Sequence, residues 1–261
     1  MRLLFLLIFL SFARAICAPL AILGAFGEET AYLDSLLVNR QTQEILGLKF
    51  TTGELMGQPV VMALTGVGKV NAALTTALLI QNFHPRAVLF TGVAGSLNPD
   101  LAPGDVVIAA GTVQHDLADF YADSIVNFGV RNPATGIRNP VVFPADSTWL
   151  SRAKLAADQA SLLVADSAGQ PPRAVIGLIA TGDGFISSTK HKRELRSRLG
   201  ADAVEMEGAA VAQVCHQLGF PCLIIRALSD RADENAMQDF EKYYRIAARN
   251  ANRVVLGVLR Q

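Results

Sequence analysis

Short apolar runs alternate with amphipathic stretches along this chain. Leu20–Phe26 is apolar apart from Gly24 and reads as a first strand buried on both faces. The glycines of Gly24–Gly27 let the backbone bend, and Glu28 and Glu29 open a helix to about Val38, acidic residues suiting its positive end. Between Glu44 and Leu64, Gly53, Gly57 and Pro59 punctuate a meander of two or three strands. A long helix follows Thr65–Asn71 and runs to Phe83, where Pro85 stops it. Ala87–Phe90 is the next strand, closed by a Gly-rich turn at Thr91–Ser96, and Gly104–Ala110 is another. Ser147–Val164 and Ser188–Leu199 read as helices, and Arg173–Ala180 as a strand. A short strand ends at Val204, and a helix starts at Glu205-Met-Glu207. Pro221–Ala227 is a last strand, and an amphipathic helix runs from Gln238 to Leu259. This alternation predicts an α/β fold in three layers, with a central mixed sheet between helices. A single domain spanning 19–261 follows, with no repeats or internal linkers.

The first eighteen residues stand apart. Arg2 precedes the eleven-residue apolar stretch Leu3–Ala13, too short to cross a bilayer comfortably. Ala13-Arg-Ala15 offers small residues at signal-peptidase spacing, so residues 1–18 are expected to be a cleaved export signal, leaving a periplasmic or secreted protein without stable membrane contact. The alternatives are an apolar strand or a retained anchor. Losing Arg2 and Arg14 would move the formal charge from zero to −2. The balance of 23 basic and 23 acidic side chains argues against nucleic acid as partner, since that demands a basic face. Cys215 and Cys222 lie in apolar surroundings and are read as buried thiols. The cysteines and the four histidines show no metal-ligand spacing, so no metal is expected.

Glycine-rich turns invite a nucleotide reading, but Gly66-Val-Gly-Lys69 lacks the phosphate-loop spacing and the first strand has no G-x-G-x-x-G. No cofactor is expected. What converges on the strand ends is acid, base and hydroxyl-binding chemistry: Glu29, Glu205, Glu207, Arg226, Ser229 and Asp230. A nucleoside suits such a set. One carboxylic acid protonates the departing purine, another holds the ribose and a third activates water, while an aromatic face such as Phe185 stacks the base. Each residue has a plainer reading: Asp230 as a cap, Glu29, Glu205 and Glu207 as helix-start residues, Phe185 as core. Arg226, inside an apolar run, requires a carboxylate partner.

Six motifs occur in order: Gly24-Ala-Phe-Gly-Glu-Glu29, Gly66-Val-Gly-Lys-Val-Asn71, Thr91-Gly-Val-Ala-Gly95, Thr181-Gly-Asp-Gly-Phe-Ile186, Val204-Glu-Met-Glu207 and Arg226-Ala-Leu-Ser-Asp230. Together they resemble the purine nucleoside phosphorylase superfamily, and within it the 5′-methylthioadenosine/S-adenosylhomocysteine nucleosidases. The resemblance implies a nucleoside phosphorylase-like fold and hydrolytic release of adenine from 5′-thio-substituted adenosines. It implies Asp230 as the acid at purine N7 with Ser229 beside it, Glu29 as the base for water with Arg226 nearby, and Met206 and Glu207 on the ribose. Phe185 and the backbone of Ile186 would meet the base, and Val67 and Phe240 would line the thioalkyl side. It also implies a homodimer, with the segment His115–Asp146 reaching a neighbouring pocket. Val93 stands where these hydrolases usually carry Ser, and Phe26 where Met is common. The competing expectations are a phosphate-dependent phosphorylase, which Glu28 and Glu29 disfavour by repelling an anion, and a non-catalytic exported nucleoside-binding protein.

Overall fold

A computed structural model describes residues 17–165 and 170–261. The chain runs β1 (Leu20–Gly24), α1 (Gly27–Leu36), β2 (Val38–Ile45), β3 (Leu48–Leu55), β4 (Gln58–Leu64), α2 (Lys69–Phe83), β5 (Ala87–Ser96) and β6 (Val106–Gln114). It continues with β7 (Ala118–Phe120), β8 (Ile125–Asn127), β9 (Val142–Pro144), α3 (Ser147–Asp158), β10 (Ala174–Thr181) and α4 (Thr189–Leu199). It ends with β11 (Ala203–Glu205), α5 (Gly208–Leu218), β12 (Cys222–Asp230) and α6 (Ala236–Leu259).

The central sheet is mixed, in the order β11-β10-β6-β12-β5-β1-β4-β3-β2, with β9 beside β6. Antiparallel pairing of β11 with β5 closes the first five strands on themselves. Period-two geometry sorts the apolar runs into two cores. Leu20, Ile22, Leu223 and Ile225 pack toward α3 and α6, whereas Ala21, Leu23, Cys222 and Ile224 pack toward α2 and α5. The expected α/β sandwich is the observed one.

Several boundaries differ from the sequence pattern. The first helix stops at Leu36 and Val38 already belongs to β2, an exposed edge strand whose polar alternation concealed it. Helix α3 ends at Asp158 rather than Val164. Segment 115–146 contains the hairpin β7–β8 and the short β9. Most consequentially, Thr91–Ser96 is not a turn: β5 runs through it, buried at every position. The proposed leader, apart from Cys17 and Ala18, lies outside the described residues.

Candidate active site

Strands β1, β5 and β12 are parallel neighbours, so their C-terminal ends open on one side. Glu29 sits in the first turn of α1, just past β1. Arg226 is paired in register with Gly92, and beyond Leu228 the β5–β12 register slips so that Asp230 meets Gly95. A regular strand would send consecutive side chains to opposite faces; across this irregularity Ser229 and Asp230 face the same cavity. Strand β11 delivers Glu205, and Glu207 is the N-cap residue of α5.

Arg226 organises these groups. Fully buried, with its guanidinium 4.0 Å from the centre of the Phe90 ring, it donates to Glu205 Oε2 from Nε at 3.2 Å and from Nη2 at 2.7 Å. Nη2 also approaches Glu207 Oε2 at 3.5 Å. Burial works against its charge, but Glu205, Glu29 and Glu207 outweigh that and hold its pKa above the ordinary value. Its Nη1 is buried with no hydrogen-bond partner among the described residues. A Cβ at Gly92 would fall 2.3 Å from both Nη1 and Glu29 Oε1, so the bare glycine is what admits both groups.

Glu205 is spent on the protein. Besides Arg226 it accepts from the Thr181 hydroxyl and from the backbone N–H groups of Glu207 and Gly208, at 3.1 and 2.7 Å to Oε2. A carboxylate has about four acceptor sites, and these donors use them. Glu205 therefore caps α5 and anchors Arg226, and the structure leaves it little capacity to bind substrate directly.

Three carboxyls remain. Glu29 accepts from Ala25 N at 2.5 Å and Val93 N at 2.8 Å; burial raises its pKa, against the pull of Arg226 and these amides. Asp230 accepts from the Ser229 hydroxyl and Ala232 N, both at 2.8 Å, and burial raises its pKa despite them. Glu207 accepts from Gly68 N at 2.8 Å; burial and the adjacent Glu205 charge push it up to about 8, against Arg226.

These groups surround one cavity of about 290 Å3. Glu29, Val67, Val93, Phe185, Glu205, Met206, Glu207, Ser229, Asp230 and Phe240, the residues singled out from the sequence, all line it. Ile186 lines a small adjoining recess with Phe185 and Asp230, and Arg226 lies beneath. Its aromatic wall is larger than expected: Phe185 meets Phe240 edge-on at 6.2 Å, and Phe240 stacks on Tyr244 at 5.1 Å. Tyr244, one helical turn beyond Phe240, was detectable as an i, i+4 pair. Met237 also lines the cavity and carried no sequence signal.

The phosphorylase superfamily model matches residues 19–260. A 5′-methylthioadenosine/S-adenosylhomocysteine nucleosidase of Geobacillus thermodenitrificans is 41% identical over 241 residues, 92% of this chain and 95% of the relative. The chain belongs to this nucleosidase family. Among solved members, the nucleosidase of Colwellia psychrerythraea in complex with adenine superimposes with a TM-score of 0.81 at 36% identity, covering 93% of this chain and 95% of that one. The family's fold also serves a futalosine hydrolase of Helicobacter pylori, with a TM-score of 0.80 at 32% identity over 94% of this chain and 98% of the other.

Proposed function

We infer that this protein hydrolyses the N-glycosidic bond of 5′-thio-substituted adenosines, 5′-methylthioadenosine and S-adenosylhomocysteine, and releases adenine. The observation that carries this reading is the shared cavity: Glu29 and Asp230, both buried and both raised in pKa, face one hollow large enough for a nucleoside. Asp230 donates its proton to purine N7, so the base leaves neutral while positive charge gathers on the ribose. Ser229 suits both states of that acid, donating to it when ionised and turning toward the Ala94 carbonyl, 3.3 Å away, when it is not. Glu207 holds the ribose hydroxyls. Glu29 takes a proton from the attacking water, and the unpartnered Nη1 of Arg226 beside it supplies a donor that keeps Glu29 and water in place. Phe185 and the Ile186 backbone meet the base, Val67 and Phe240 the thioalkyl group, and Met206 and Val93 the sugar. Glu205 acts through Arg226 as a positioning residue.

Water suits this cavity better than phosphate as nucleophile. No described residue lining it is Lys or Arg, and the one guanidinium behind it is held by Glu205. An incoming phosphate would meet the carboxyls of Glu29 and Glu207 in place of the cationic side chains it needs.

A homodimer fits the surface around the cavity mouth. Val67, Val70 and Leu74 form an exposed apolar stripe leading away from it, and Phe120 and Tyr121 of segment 115–146 are also exposed. Export fits the apolar leader of residues 1–18, which precede the family's matched region. N-terminal sequencing of the protein from the extracytoplasmic fraction checks that part: a mature chain starting near residue 16 supports it, an intact Met1 opposes it.

The activity is tested by incubating purified protein with 5′-methylthioadenosine, S-adenosylhomocysteine, adenosine, inosine and an aminofutalosine-type nucleoside, each with and without phosphate. Free ribosyl sugar in the absence of phosphate is expected; sugar 1-phosphate formed only with phosphate overturns the reading. Asp230→Asn should lower turnover by about 10²–10⁴-fold. A binding protein would instead show nucleoside affinity and no turnover in either form.

A further inference from the structure

A cavity of about 470 Å3, larger than the one just described, lies elsewhere in the fold. It lies by the start of β12, about 26 Å along that strand from Asp230 at 3.3 Å per residue. Phe143, Asp146, Ala212 and His216 help line it, and so do Cys215 and Cys222. Both cysteines are free. Both side chains pack in one apolar core, and the neighbouring Cys222 thiol, with burial, raises the pKa of Cys215. Cys215 is wholly buried, whereas Cys222 is 8% exposed.

Two adjacent thiols beside an open cavity are more than a packing choice. Cys215 lies in the last turns of α5 and Cys222 begins β12, and the connection between them turns at Gly219, whose φ is +74°. Within this α5–β12 unit the same two elements carry, at their other ends, Glu207 on one side and Arg226, Ser229 and Asp230 on the other. A bond between the sulfurs would fasten the unit without touching the nucleoside cavity.

We infer that Cys215 and Cys222 are a disulfide site, closed in an oxidising compartment by a small-molecule disulfide that enters through the large cavity. Cys222, the more exposed, attacks the oxidant as a thiolate, forming a mixed disulfide and expelling one thiolate. Cys215 then attacks the Cys222 sulfur and expels the second. The two cysteines lose two electrons and two protons, and the oxidant becomes two thiols. This chemistry does not depend on the nucleosidase reading, and in a cell it needs the oxidising compartment that export would supply.

The test uses the full chain carrying Cys17→Ser, exposed to oxidised glutathione under native conditions and examined by intact mass and non-reducing peptide mapping. The expected product is 2 Da lighter, with the peptides bearing Cys215 and Cys222 joined. Its melting temperature should be about 5 to 10 °C above that of the reduced protein, a difference abolished by dithiothreitol, from closing a loop of about eight residues. Hydrolase activity should persist, because the pair is remote from Asp230. Cys215→Ser should stop at one glutathione adduct on Cys222. Thiols that remain free, a wild-type pair that accumulates only the glutathione adduct, or a link that forms only in denaturant would each overturn the inference.

Discussion

Glu207→Gln separates what this residue does for stability from what it does for substrate. In the folded protein Glu207 is pushed up to about 8 from an ordinary 4.5, by burial first and the Glu205 charge second. An acid whose folded pKa is raised binds its proton more tightly in the native state. Its contribution to stability is therefore complete below pH 4.5 and is lost as pH rises through about 8. Ionising it in the empty site costs the fold about 4 to 5 kcal/mol, the free-energy equivalent of moving a carboxyl from 4.5 to 8. Glutamine keeps an oxygen for Gly68 N, now accepted at 2.8 Å, and cannot ionise. The variant should thus match wild type near pH 4.5 and become more stable with each step toward pH 9. At pH 9 the gain should be on the order of 10 °C in melting temperature. Glu29 and Asp230 also titrate upward, but they are present in both proteins and largely drop out of the comparison at each pH.

Differential scanning fluorimetry of both proteins from pH 4.5 to 9, without ligand, reads this directly. Turnover of 5′-methylthioadenosine should meanwhile fall by about 10²-fold or more, since a carboxyl can give up its proton as positive charge gathers on the ribose and an amide cannot. A melting difference that is flat with pH, or wild type the more stable at pH 9, would refute the placement of Glu207 as a carboxyl kept neutral by its surroundings.

Two further substitutions probe the supports of the cavity. Gly92→Ala puts a methyl 2.3 Å from Arg226 Nη1 and Glu29 Oε1. Arg226 is held by Glu205 and cannot yield, so the variant should lose about 1–3 kcal/mol in denaturant melts and about 10²-fold in kcat/KM; near wild-type activity would show that Glu29 can work from elsewhere. Asp116→Asn acts at the rim, where the Asp116 carboxylate takes Lys69 Nζ at 2.6 Å and the Asp183 N–H at 3.0 Å, and Asp183 Oδ1 in turn accepts from Lys69 N at 2.8 Å. Burial alone would raise the Asp116 pKa, but Lys69 and the Asp183 amide outweigh it and hold it low. Because the pair is partly exposed, stability should change by under about 1 kcal/mol. KM should rise several-fold with kcat nearly constant, as the loops bearing Val67 and Phe185 come untied; an unchanged KM would sink that account.

The sequence made the fold and the membership of the cavity legible, and it failed where a residue's partner lies far along the chain. Ser229 and Asp230 at the end of an apolar run announced a polar strand edge, and both line the cavity. Gly92 looked like a turn because local pattern cannot record that residues 29 and 226 meet above it. Glu205 looked like a substrate ligand because it shares a motif with Glu207. Only the fold reveals that one of the two is consumed by Arg226, Thr181 and the start of α5.

That difference between two neighbouring glutamates shows how the site is built. Three carboxyls, Glu29, Glu205 and Glu207, gather around a single guanidinium, and Glu205 holds it by its strongest contacts, while Asp230 stands apart against Ser229 and Ala232. Glu29, Glu207 and Asp230 are left with less compensation than full ionisation requires, and burial raises the pKa of all three. Strengthening the Arg226–Glu205 pair and leaving Nη1 unpartnered are therefore two sides of one arrangement. It stabilises the fold at the base of the cavity and keeps acids poised to give and take protons at its surface. An arginine shared evenly among Glu29, Glu205 and Glu207 would hold all three as anions and leave Asp230 the one cavity carboxyl with a raised pKa.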